Sequence, residues 1–217
     1  MTNYDYLVLA FFVFQYLGYQ LIYLWVYDSE WFTTREKVLF HYRERWFRGV
    51  IKDNNLILAI QTIRNLEMVT TFLGSITMLM VGWIVSLFIN TPEWLTTLSK
   101  GDYQLFFDTH PLAVKLLVTL ILWLVAFFNF IISLRITFNM NYVLASPVTE
   151  EEDLSFQFDQ IQRQIRYFFI GIRAIYFSIA PLMWLIDTNL FLFTSLMATV
   201  LSFRSDFMRN RHNSIIG

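Results

Sequence analysis

Residues 68–90 read MVTTFLGSITMLMVGWIVSLFIN, a run without one charged side chain. Coiled as a helix at about 1.5 Å per residue, it is roughly 34 Å long, enough to cross the ~30 Å hydrocarbon core of a bilayer. Two further runs have the same property, Tyr6 to Val26 before it and Leu116 to Leu134 after it. A helix in a soluble core can be apolar all round, but rarely over such a length without a charge. The sequence therefore predicts an all-α fold, a polytopic transmembrane bundle with three clear spans.

Composition agrees. Of the 217 residues 56% are hydrophobic and only 15% charged, outside the range of an ordinary soluble domain of this size. The first run follows Asp5 with no basic residue before it and leads into YLWVYDSEWF rather than into small residues, so it reads as a retained anchor and not as a cleavable signal. Cysteine is absent, which removes disulfide and thiolate chemistry. His41, His110 and His212 are dispersed without partners at metal-ligand spacing, so neither a metal nor a cofactor is expected.

Basic residues are sharply partitioned. Between the first two spans stand Arg35, Lys37, Arg43, Arg45, Arg48, Lys52 and Arg64; between the second and third stands only Lys100, with Lys115 at the start of the third. The positive-inside rule makes the first of these segments cytoplasmic and places the N-terminus outside. The expected setting is a bacterial cytoplasmic membrane. The last apolar stretch, 167–203, is too long for one ordinary crossing and is interrupted by Pro181 and by Asp187-Thr188-Asn189. Three readings stand open. It crosses once, it re-enters shallowly, or it forms a hairpin with its turn at Asp187 to Asn189. The hairpin leaves every basic residue except Lys100 and Lys115 on one side and the C-terminus inside, giving four to five spans in all, and is preferred.

The chain reads as a single membrane domain over 1–217, with cytoplasmic helical segments at 28–63 and 136–166. In the first, Trp31, Phe32, Val38, Leu39, Tyr42 and Trp46 gather on one side of a helix with Arg35, Arg43 and Arg45 nearby. Such a helix lies on the membrane surface or packs under the bundle by the same stripe. In the second, Thr149 and Glu152 have capping-box spacing after Ser146-Pro147, and Glu150 to Asp153 suit a helix N-terminus. Leu154, Phe158, Ile161, Ile165 and Phe168 then form a stripe leading into the membrane.

Three arginines stand at the mouths of apolar runs, Arg64, Arg135 and Arg173. A guanidinium keeps its charge, so at a bilayer edge it snorkels to headgroups, pairs with an acid or holds an anion. Topology puts all three near the cytoplasmic boundary, where they could share an anion or grip lipid phosphate. Gln61, Asn65, Glu67, Asn129, Asn139 and Tyr176 are the candidate supporting polar network, with Arg64 and Glu67 three residues apart on one helical face. Thr71, Ser75, Met78 and Gly82 continue along that helix as a stripe that would line a water-filled path or let helices pack closely. Pro181 and Trp184 mark a kink, and Asp187 with Asn189 a turn; at depth, Asp187 would instead be an ion or proton site.

No catalytic residues are assigned. The sequence has no Gly-rich phosphate loop, HExxH pattern or G-x-S-x-G elbow, so an enzyme is not expected, and no nucleic-acid recognition module is present. The expected function is a small membrane channel or transporter for anions with an arginine-lined cytoplasmic mouth. Its rival is an accessory protein that binds lipid or a membrane partner. Expected partners are membrane lipids, a small anion and further copies of the chain, since four or five helices enclose little room unless copies share a pore.

Three blocks carry a resemblance: QTIRNLEMVTTFLGS at 61–75, FFNFIISLRITFNMNYVLASP at 127–147 and YFFIGIRAIYFSIAPLMWLID at 167–187. They resemble the signature blocks of the DUF599 family of integral membrane proteins, which has no established biochemical function. The resemblance implies that Arg64, Asn65, Arg135, Arg173, Tyr176, Pro181 and Trp184 occupy the recurring positions. It also implies four spans, where the charge argument gives five. Leu185-Ile186-Asp187 departs from the family's Phe-Gly-Pro-like turn.

Overall fold

Each charge-free run is carried by a helix longer than itself, with only Asn90 falling beyond its helix as the C-cap. The computed structural model describes residues 3–28, 35–53, 55–90, 111–146 and 151–207, and the regular structure among them is all α-helix. The helices are α1 (Asn3–Asp28), α2 (Arg35–Lys52), α3 (Leu56–Ile89), α4 (Pro111–Ala145), α5 (Glu151–Trp184) and α6 (Thr188–Asp206). Four of them, α1, α3, α4 and α5, are long and apolar enough to cross a membrane. The 34 or 35 residues of α3, α4 and α5 make rods of about 50 Å, so each overshoots the ~30 Å hydrocarbon by several turns.

The antiparallel pair α4 and α5 forms the centre, with α3 against α4, α6 against α5, and α1 beside α6. At mid-length Phe130 of α4 is fully buried with Ala126 and Ala174. Gly74 of α3 and Gly171 of α5 both face it. A Cβ on Gly171 would lie 2.8 Å from Phe130 Cε1, so glycine is what lets the ring sit there. These contacts also fix the register, placing 74, 130 and 171 at one height.

The overshooting ends meet at what we term the base. Phe47 and Val50 of α2, Ala59 and Ile63 of α3, Met140 and Leu144 of α4, and Phe158 and Ile161 of α5 form one buried cluster there. Segments 28–63 and 136–166 thus hold α2 and the base ends of the three long helices. Helix α2 packs under the bundle through Phe47 and Val50, which the expected stripe does not include; of the stripe itself, Val38, Leu39 and Trp46 are half-buried and Tyr42 is exposed. Trp31, Phe32, Pro147, Thr149, Glu150, His110 and His212 lie outside the described residues. From Leu154 to Phe168 the expected stripe is buried or half-buried, and α5 continues without a break through Pro181 to Trp184.

The last apolar stretch is a helical hairpin. After Trp184 the chain turns over Leu185 to Asp187, and α6 returns along α5. Asp187 is extended, and its carboxylate accepts from the backbone N–H of Asn189 at 2.7 Å and of Leu190 at 3.3 Å, capping α6. Trp184 stacks on Phe191 across the turn, 4.7 Å between centroids. Helix α1 runs parallel to α6 and is tied to it along its length. The Thr188 hydroxyl donates to Asp5 at 2.6 Å, Tyr4 to Asn189 Oδ1 at 3.0 Å, and Gln15 Nε2 to the Ser195 carbonyl at 3.1 Å.

Candidate functional site

Arg173 lies inside the bundle. On α5 the Cα–Cβ bond tilts toward the helix N-terminus, which aims the side chain at the base. Asp206, the last residue of α6, tilts its own side chain the opposite way, toward the turn. The two meet with Arg173 Nε donating to Asp206 Oδ2 at 2.8 Å. Tyr19 of α1 donates its hydroxyl to the same oxygen at 2.5 Å. Tyr23, one turn further along α1, places its ring 3.5 Å from the guanidinium carbon, a cation–π contact. Three helices therefore converge on one guanidinium, and only 3% of Arg173 is accessible.

The hydrogen bonding of this cluster is incomplete. Among the described residues Arg173 Nη1 and Nη2 are buried without an acceptor. On the helices that meet there, Gln20 Nε2 of α1 and Ser202 Oγ of α6 are likewise buried and unpartnered. A buried donor without a partner costs about 1–3 kcal/mol, more when charged. A carboxylate on Nε alone leaves the distal edge of the fork available to a second anion or to water.

This position corrects the arrangement read from topology. Arg173 is two residues from Gly171, which is level with Gly74, ten residues along α3 from Arg64. Arg173 therefore lies about 15 Å deeper than Arg64 along the bundle axis. Arg64 is exposed on the outer side of α3, in an open groove with Glu67, Met68, Thr71 and Phe72. Arg135 is exposed on α4. Within one chain the three do not form a ring.

The supporting residues also part company. Gln61, Asn65 and Asn139 are exposed, as is Tyr176 at 41%. Asn129 Nδ2 donates to the Val125 carbonyl of its own helix at 2.7 Å instead of reaching across. Thr71, Ser75, Met78 and Gly82 are all exposed on α3, turned away from the other helices of the chain. Asp187 is an exposed cap at the turn between α5 and α6. Pro181 and Trp184 are buried beside the hairpin.

Sequence reasoning missed Asp206, Tyr19, Tyr23, Asp5 and Lys115. Asp206 ends a spacing of Ser195, Ala198, Ser202 and Asp206 along one face of α6, every member buried, and that pattern was readable. Tyr19 and Tyr23 are four apart on α1. Lys115 donates to the Trp184 carbonyl at 2.7 Å, satisfying the C-terminal end of α5 where the dipole favours a cation.

The family model described as a protein of unknown function, DUF599, matches residues 7–211. The chain belongs to the DUF599 family. No curated protein and no solved structure matches it. Of the recurring positions implied by the resemblance to DUF599 proteins, Arg173, Pro181 and Trp184 are buried, Arg173 and Trp184 of them against α1 and α6. Arg64, Asn65, Arg135 and Tyr176 face outward. This DUF599 chain thus divides those positions between an interior cluster and the outer surface of the bundle.

Proposed function

We propose that the protein is a transport-related membrane protein for small anions, and that Arg173 is the residue that recognises the anion. The observation that carries this reading is the pair of buried, acceptorless nitrogens on a guanidinium well inside the span. An ionised group at such depth is expensive and by default marks an ion or substrate path. Asp206 and Tyr19 hold the Nε side of the fork and Tyr23 its face, which leaves Nη1 and Nη2 to a chloride, a phosphate or a small carboxylate. The exposed faces of α3 and α4, with Arg64 and Arg135, are assigned to contacts with lipid phosphate or with further copies of the chain. The reading includes no chemical step, so the protein is proposed not to be an enzyme, and nucleic acid is not among its partners.

The test is flux in liposomes holding purified protein, measured for chloride, phosphate and small carboxylates across a range of voltage and pH. Wild-type protein should pass at least one of them, and Arg173→Lys, which keeps the charge but loses the fork, should reduce that flux severalfold. Absence of flux for all of these anions overturns the proposal, as does flux that is unchanged in a folded Arg173→Met, Asp206→Leu double variant.

A further inference from the structure

Helix α3 stands at the edge of the bundle, packed chiefly against α4 and, at the base, against α2. The rest of its surface is open, and that surface differs from the other open faces of the chain. Between Leu7 and Trp25 the exposed side chains described on α1 are Leu, Ala, Phe, Val, Ile and Trp. Between Leu190 and Phe203 those of α6 are Leu, Phe, Met and Val. Faces of that kind suit lipid tails. On α3 the charge-free run exposes Thr71, Ser75, Gly82 and Ser86, with Gln61, Arg64 and Asn65 on the turns before it.

The hydroxyls are not what needs covering, since Ser75 donates to the Thr71 carbonyl of its own helix at 2.9 Å. What these positions offer is lack of bulk, which lets one helix backbone approach another where lipid gives no hydrophobic drive to association. Gly82 is the clearest case. A Cβ there would meet nothing within 4 Å, so unlike Gly171 it protects no contact inside the chain. Glycine in mid-helix is destabilising relative to alanine, and no neighbour within the chain offsets that. Arg64, Met68, Thr71, Ser75, Met78 and Gly82 follow one another at steps of four, three, four, three and four, every one exposed. That is the period of a seam between two helices crossing at about 20°.

The charges say which helix comes against it. Arg64 and Glu67 lie three residues apart, yet among the described residues neither makes an ion pair. Two copies inserted the same way are related by an axis along the bilayer normal, which sets α3 beside α3 with equal residue numbers at equal depth. Glu67 of each copy is then about 4.5 Å deeper than Arg64 of the other, and its Cα–Cβ bond tilts back toward the base, to the level of that guanidinium. A face with one unpaired cation beside one unpaired anion complements itself.

We infer that this face of α3 is the contact with a second copy of the chain, two-fold symmetric, with Arg64 of each copy paired to Glu67 of the other. Of the two covers given above for this face, lipid phosphate or another copy, the inference takes the copy. It does not depend on anion recognition at Arg173, and its test is read without any anion.

The chain has no cysteine, so single-cysteine variants report cleanly. In liposomes at a high lipid-to-protein ratio, oxidation should convert Ser75→Cys and Gly82→Cys to covalent dimers severalfold faster than Phe14→Cys on α1 or Met197→Cys on α6, positions that are also exposed. Should Gly82→Cys fail to fold, Ser75→Cys, nearly isosteric with the native side chain, carries the comparison. Equal rates at the α1, α3 and α6 positions, or no dimer from Ser75→Cys, would mean that lipid covers the face and would overturn the inference. The charges are tested by mixing. With Ser75→Cys in both, a copy carrying Arg64→Glu and a differently tagged copy carrying Glu67→Arg, reconstituted together, should cross-link to each other several times more than either does to itself. Mixed dimers at the random proportion, half of the total, would overturn the reciprocal pairing and with it the two-fold face.

Discussion

Arg173 Nε and Asp206 Oδ2 stand 2.8 Å apart, joining the middle of α5 to the last residue of α6 where both side chains are almost wholly buried. Removing one partner strands the other charge, which costs about 3–5 kcal/mol. Asp206→Ala should therefore lower the unfolding midpoint sharply. The paired replacement Arg173→Met, Asp206→Leu should recover most of the loss, since two apolar side chains leave no charge to solvate. Thermal unfolding of the single and double variants in one detergent measures both.

Arg64 should behave in the opposite way. Its side chain is exposed on α3, with neither a buried partner nor a desolvated charge. Arg64→Ala is expected to change stability by no more than about 0.5 kcal/mol and to leave anion flux close to wild type. Measured beside Arg173→Lys in the same liposomes, the pair shows which arginine an anion meets.

Gly171→Ala should loosen the contact of α4 with α5. The added methyl falls 2.8 Å from Phe130 Cε1, and Phe130 is itself fully buried, so the ring has no solvent-facing space to move into. Overpacking of this kind costs about 1–3 kcal/mol. Phe130→Leu in the same chain should return more than half of it, which a double-mutant cycle on unfolding midpoints reads directly.

Asp187→Ala should cost about 1 kcal/mol, the loss of a helix N-cap, with flux unchanged. A larger fall in flux than in stability would instead give Asp187 a part in conduction. Unfolding and flux recorded on one preparation separate the two.

Topology is checked by reporters. A fusion at Gly217 should report the cytoplasmic side and a tag inserted between Leu185 and Asp187 the opposite side, in keeping with the arginine-rich segment before α3. Both reporters on one side would break the hairpin topology.

The helices were legible because a long charge-free run has few other stable forms in lipid, where every backbone group must be satisfied within its own segment. The hairpin was legible from the interruption at Asp187 to Asn189, and the cap it forms is a local event. The interior site was much less so. The small-residue spacing of Ser195, Ala198 and Ser202 points along one face of α6 to Asp206 but does not say what meets it; its burial is decided by Tyr19 and Arg173, 187 and 33 residues away. Nor does local sequence fix the level of Arg173. It follows from the register of α5 on α4, which Gly171 and Phe130 set through contact. The readings of Thr71, Ser75, Met78 and Gly82 as pore or packing stripe both assumed a neighbour, and within the chain α3 turns that face outward.

The parallel alignment of α1 with α6 bears on how the chain is made. Helix α1 finds hydrogen-bonding partners at Thr188, Ser195 and Asp206, which follow their α1 partners in the sequence by 183, 180 and 187 residues. While α2 to α5 are being inserted, Asp5, Gln15 and Tyr19 must be satisfied by water, headgroups or an insertion factor. The contacts between α1 and α6 close only when α6 slots in beside α1, so a chain cut before Thr188 would leave α1 without these partners.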